Sequence, residues 1–176
     1  FTVRYNACLS EVKSKLVQGG SFFSDVFSVD IPGTTADLDY LHNNIKTMCI
    51  DWQHNGTYAI CEFTQTYLTT ASQENEVDIA VGQALRELDI ADSSMYGRVK
   101  AIHDYIIKTT DYDFTYKRYS AYDVLYGRSA VCQGYALLMY RMLMEAGVPA
   151  RFISGEAVTG GERGLHAWNI VKIGRY

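Results

Sequence analysis

Cys132 and His166 are the two residues of this chain whose types and surroundings best suit covalent chemistry. Cys132 opens the run Cys132-Gln133-Gly134-Tyr135-Ala136-Leu137-Leu138-Met139-Tyr140-Arg141-Met142-Leu143-Met144-Glu145-Ala146, which is apolar almost all round and stops at Gly147 with Pro149 beyond. Such a run is expected to form a helix at the centre of a domain. A cysteine in the first turn of a helix meets unpaired N–H groups and the positive end of the macrodipole, and both favour the nucleophilic thiolate. Gly134 removes a side chain from that turn, which would let a substrate carbonyl approach the N–H groups as an oxyanion. His166 begins a strand on which it alternates with Trp168 and Ile170. If that strand packs beside the helix, thiol and imidazole can attack an amide carbonyl and protonate the departing amine. Gln133, Tyr122 and Trp168 are the candidate oxyanion or substrate contacts. The plain alternatives are a cysteine that is only a small buried hydrophobe and a histidine satisfied within a sheet, and spacing alone does not choose. His103 precedes Asp104, but adjacent helix residues do not face each other, so the two are assigned to structure. His42 and His54 fall on surface segments and receive no role.

The elements that must position these residues follow from periodicity. Residues 3–18 read as a helix stopped by Gly19 and Gly20, and a second helix is expected after Thr34 or Thr35. From Thr47 to Thr69 β-branched and aromatic residues flank His54-Asn55-Gly56, a hairpin signal. Asn55-Gly56-Thr57 is also a glycosylation sequon, but the turn explains its flanks and the sequon does not. Val77, Val81, Ala84, Leu85 and Leu88 recur at helical spacing, as do Val99, Ile102 and Ile106 after Asp92-Ser93-Ser94. Residues 111–126 are dense in tyrosine and lack a period. They read as an irregular segment that either lines a cleft or packs over the core. Two strands, 150–158 and 165–173, flank a turn over 159–164. The sum is an α+β fold: a central helix packed on an antiparallel sheet, with an N-terminal helix and a β-hairpin region. The expected division is an α/β region over 1–92 and a core over 93–176.

Composition bounds the remaining possibilities. The 176 residues are 48% hydrophobic and 20% charged, as in globular chains, with two prolines and no linker or repeat. Residues 1–95 carry five Lys/Arg against 13 Asp/Glu, and residues 96–176 carry 11 against seven, so the net charge of -4 divides into -8 and +4. The basic charges are scattered rather than blocked, which suits a solvated face and gives no reason to expect a nucleic-acid partner. No apolar run is long enough to span a bilayer. The chain opens with Phe1 and no leader, and is expected to be a mature or excised fragment. Cysteines at 8, 49, 61 and 132 show no metal-ligand spacing, so no metal is expected. Cys49 and Cys61 are either bridged across the hairpin or free.

Several segments agree in order and spacing with one family. Gly127-Arg128-Ser129-Ala130-Val131-Cys132-Gln133-Gly134-Tyr135-Ala136, Ala146-Gly147-Val148-Pro149-Ala150-Arg151, Ser154-Gly155-Glu156-Ala157 and His166-Ala167-Trp168-Asn169 resemble the bacterial transglutaminase-like superfamily. Ala101-Ile102-His103-Asp104-Tyr105-Ile106 resembles its lead-in helix, and the resemblance covers about residues 95–176. It implies a papain-like core in which cysteine, here Cys132, opens the central helix, while histidine, here His166, and then aspartate come from successive strands. No Asp or Glu follows Glu162, so the third member is expected just past Tyr176, with Asp113 and Asp123 poor substitutes. The implied function is thiol-dependent acyl transfer or amide hydrolysis through a cysteine thioester, as in a cysteine peptidase, deamidase or transglutaminase. Hydrolysis is preferred, because many bacterial relatives resemble peptidases. The alternative is a non-catalytic peptide- or glycan-binding module on the same fold. The implied partner is a peptide or protein amide. No cofactor is implied, and no loop of spaced carboxylates suits calcium. The class of relatives implies an extracellular or cell-surface location and leaves the cytoplasm open.

Overall fold

The computed structural model describes residues 2–8, 38–54, 58–159 and 161–174. The chain forms two compact units, one of Phe1–Leu38 with Ile45–Tyr67 and one of Asp39–Asn44 with Leu68–Tyr176. This division differs from the one expected at residue 92, because the helix Ala71–Leu88 lies in the second unit.

In the first unit β1 (Thr2–Cys8), β2 (Ile45–His54) and β3 (Tyr58–Tyr67) form an antiparallel sheet in the order β1-β3-β2. The helix expected over 3–18 is therefore corrected over its first part. Thr2, Val3 and Tyr5 suit a pleated strand, and pairing with Thr64, Phe63 and Cys61 of β3 outweighs the local helical pattern. Residues 9–18, and the helix start expected at Thr34 or Thr35, lie outside the described residues. The hairpin signal resolves as β2 and β3 paired from His54 opposite Ala59, with the turn at 55–57 also outside the described residues. Cys49 is a free thiol opposite Thr64, whereas Cys61 stands opposite Trp52. That offset of three residues is about 10 Å along a strand, beyond the reach of a disulfide.

The second unit is built around one helix. After α1 (Leu38–Asn43) come α2 (Ala71–Leu88), α3 (Met95–Thr109), β4 (Asp111–Tyr112), α4 (Ala121–Gly127), β5 (Ser129–Ala130), α5 (Cys132–Glu145), β6 (Ala150–Thr159) and β7 (Glu162–Val171). Thr70 and Gln73 form a capping box that starts α2, and Ser94 accepts from the Gly97 N–H to start α3. Leu137, Leu138, Met142 and Leu143 bury α5 against α2, α3, α4 and the antiparallel β6–β7 hairpin. Gly147, at φ +72°, takes the left-handed turn that ends α5 and lets the Val148 N–H donate to Leu143.

The irregular segment expected over 111–126 is also corrected. Asp111–Tyr112 pairs in parallel with Ser129–Ala130, and residues 121–127 are helical. Ser120 accepts from the Asp123 N–H while Asp123 accepts from the Ser120 N–H, and Ala121, Val124 and Leu125 turn inward. The Ser120-Ala121-Tyr122-Asp123 capping signature stood in the sequence, but five tyrosines and a short helix hid the period.

Candidate active site

The first turn of α5 presents Cys132 half-buried at the wall of a cavity of about 440 Å³. Val131, at the cap position, offers no side chain to the opening N–H groups. Gly134 does not face the cavity: a Cβ there would come within 2.6 Å of the Ala130 Cβ and 3.0 Å of the Ser120 carbonyl. The glycine is required by the close approach of α5 to β5 and α4, which corrects the expectation that it opens room for a substrate. That approach seats Cys132 directly after the β4–β5 pair.

His166 and Trp168 reach the same cavity from β7. Alternation puts Ala167, Asn169 and Val171 toward α5 and His166, Trp168 and Ile170 on the more exposed face. The expected face is therefore the outer one, and the two rings meet the cavity at its edge, stacked with centroids 6.1 Å apart. The Asn169 amide ties β7 to α5 by donating to the Ala136 carbonyl at 3.1 Å.

Tyr112 and Tyr135, stacked at 6.4 Å, line the cavity beside Cys132. The Tyr135 hydroxyl donates to the Thr110 carbonyl, and the two-residue β4 holds Tyr112 next to the thiol. Burial, and then the neighbouring Cys132, raise the Tyr112 phenol above its ordinary value. Neither tyrosine was singled out from the sequence, although Tyr112 lies in the stretch expected to line a cleft.

Three sequence expectations look different in place. Gln133 donates its amide to the Asn43 carbonyl at 2.7 Å, and Tyr122 stacks on Tyr126 at 4.7 Å; neither is among the cavity residues. His103, which was given a structural role, lines the cavity, and its Nδ1 lies 3.3 Å from the Asp104 carboxylate. Neighbouring helix side chains diverge at Cβ, but the long imidazole swings back over the carboxylate. Hydrogen bonds from Lys100 and then His103 hold Asp104 below the usual carboxylate range.

No carboxylate is among the described residues lining the cavity. Asp113 accepts from the Thr115 hydroxyl and from the N–H groups of Thr115, Lys117 and Arg118, which lower it to about 2. Asp123 is occupied at the start of α4.

A comparison with protein families matches the transglutaminase-like superfamily over residues 83–176. The chain belongs to that superfamily. A solved transglutaminase is 17% identical with a TM-score of 0.53, covering 85% of this chain and 47% of the other, a likeness of fold. A structure from Cytophaga hutchinsonii, provisionally called a cysteine protease, is 18% identical with a TM-score of 0.45, covering 73% of this chain and 59% of the other. The chain thus spans about half the length of these solved structures. No curated protein matches it.

Proposed function

We propose that this protein performs thiol-dependent acyl chemistry on peptide or protein amides, with Cys132 as nucleophile and His166 as its acid and base. The observation that carries the reading is that both side chains line one cavity, the thiol from the mouth of a buried helix and the imidazole from the adjacent hairpin. The thiolate sulfur bonds to the amide carbonyl carbon. The protonated imidazole gives its proton to the departing nitrogen as the C–N bond breaks, leaving a thioester. Water attacks the thioester, neutral His166 takes its proton, and the carboxylic acid leaves with regeneration of the thiolate. An amine in place of water gives transfer, and hydrolysis is the preferred outcome. The uncapped N–H groups at the start of α5 suit the oxyanion.

The test is turnover of glutamine-containing peptides, with and without an amine probe, by the unaltered protein, Cys132→Ala and His166→Ala. Each variant should lose at least about a thousandfold in kcat/KM. Variants as active as the parent would end the reading. Peptide binding without turnover in all three would favour a non-catalytic binding module.

A further inference from the structure

The family match begins at residue 83, yet a segment far ahead of it touches both halves of the candidate site. Residues 39–44 belong to the second unit and run between the start of α5 and the β6–β7 hairpin. At one end, Gln133, the residue after the nucleophile, donates to the Asn43 carbonyl at 2.7 Å. At the other, Asp39 accepts from Arg151 at 2.6 and 3.1 Å and from the Phe152 N–H at 3.1 Å. Phe152 stands opposite Asn169 in the hairpin, three residues from His166.

The segment is itself fixed. Tyr40 is buried under the Arg141 guanidinium, 5.0 Å from its ring, and its hydroxyl donates to Glu74 of α2 at 2.9 Å. The buried Asn44 donates to Thr69 at 2.6 Å and to Glu74 at 3.0 Å. Asp39 is also more than half of a screened surface pair. Its carboxylate is 18% exposed against 71% for Arg151, and one of its bonds goes to backbone. Burial raises that carboxyl, but Arg151, the Phe152 N–H and His42 together hold it below its ordinary value.

We propose that Asp39–Asn44 is a positioning strap of the catalytic centre, with Asp39 and Gln133 as its anchors, holding the turn that carries Cys132 in register with the hairpin that carries His166. Displacement of a reacting group by about 1 Å can cost on the order of a hundredfold in rate, so two modest anchors matter more to chemistry than to folding. The catalytic part rests on the Cys132–His166 reading; the mechanical part does not.

Two readouts separate them: amide hydrogen exchange across β6 and β7, and the ratio of Cys132 alkylation rates by iodoacetamide at pH 6 and pH 9. Asp39→Ala should speed exchange in β6–β7 at least about tenfold while α5 keeps its protection. It should also move the alkylation ratio toward that of His166→Ala. Gln133→Leu should move the ratio in the same direction. Asp39→Asn, which keeps an acceptor for the Phe152 N–H, should fall between, and serves if the alanine variant does not fold. Unchanged β6–β7 exchange in Asp39→Ala overturns the strap. Faster exchange with an unmoved ratio, where His166→Ala does move it, overturns its positioning role. If His166→Ala leaves the ratio at the parent value, the catalytic pairing falls and exchange alone decides the strap.

Discussion

The thiol and the imidazole are delivered to one cavity by regions held in opposite ways. On the Cys132 side, α5 is enclosed by three helices and a hairpin, and Leu137, Met142 and Leu143 have no exposed surface. On the His166 side, β7 pairs with a single neighbour among the described strands, and its residues Leu165 and Ile170 are 88% and 56% exposed. Asn169 to Ala136, and Arg151 and Phe152 to Asp39, are polar ties between this hairpin and its surroundings. Apolar packing on several sides places Cys132, whereas one packed face, through Phe152 and Ala167, and a few directional bonds place His166. Such a hairpin opens at lower free energy than the helix beside it.

Substitutions on each side sharpen that contrast. Leu137→Ala should have the largest effect, lowering stability by about 2–5 kcal/mol in urea unfolding, because the enclosed site cannot collapse around the void. Asn169→Ala should cost only about 1 kcal/mol overall, with the increase in hydrogen exchange concentrated in β6 and β7. An Asn169 effect as large as that of Leu137 would reverse the comparison.

The smallest effect is confined to acid and bears on Tyr112, next to Asp113. The Asp113 carboxyl is depressed to about 2 from an ordinary value of about 3.9. Its contribution is therefore complete above about pH 4 and disappears as pH falls through about 2, the direction expected when the folded state binds protons more weakly. Asp113→Asn should lack that part of the acid transition, followed by tyrosine fluorescence between pH 5 and pH 1.5. A transition identical to the parent's would mean the Asp113 bonds hold nothing that matters to Tyr112.

Much of the fold was legible where local signals and burial agree. The all-round apolar run from Cys132 with Gly147 after it, the Asn-Gly hairpin and the strands around Ser154 and Asn169 each carry their own pattern. Elements that depend on distant partners were not. Thr2–Cys8 becomes a strand only because β3 supplies an edge, and β4 and β5 are two-residue pieces that exist only as a pair. The site divides in the same way. Cys132 and His166 were named from their surroundings, while Tyr112 and His103 enter the cavity through contacts that sequence spacing does not encode.

The sequence by itself determined the family, the helix that presents the thiol, and the strand that bears the imidazole, because these rest on residue order and on periodicities of 3.6 and 2. Only the tertiary structure decided that the two side chains open on one cavity, that Gly134 serves packing rather than substrate, and that residues 39–44 join the two halves. Those are distances between parts of the chain up to 113 residues apart, and they are fixed by packing and directional bonds that no local pattern specifies.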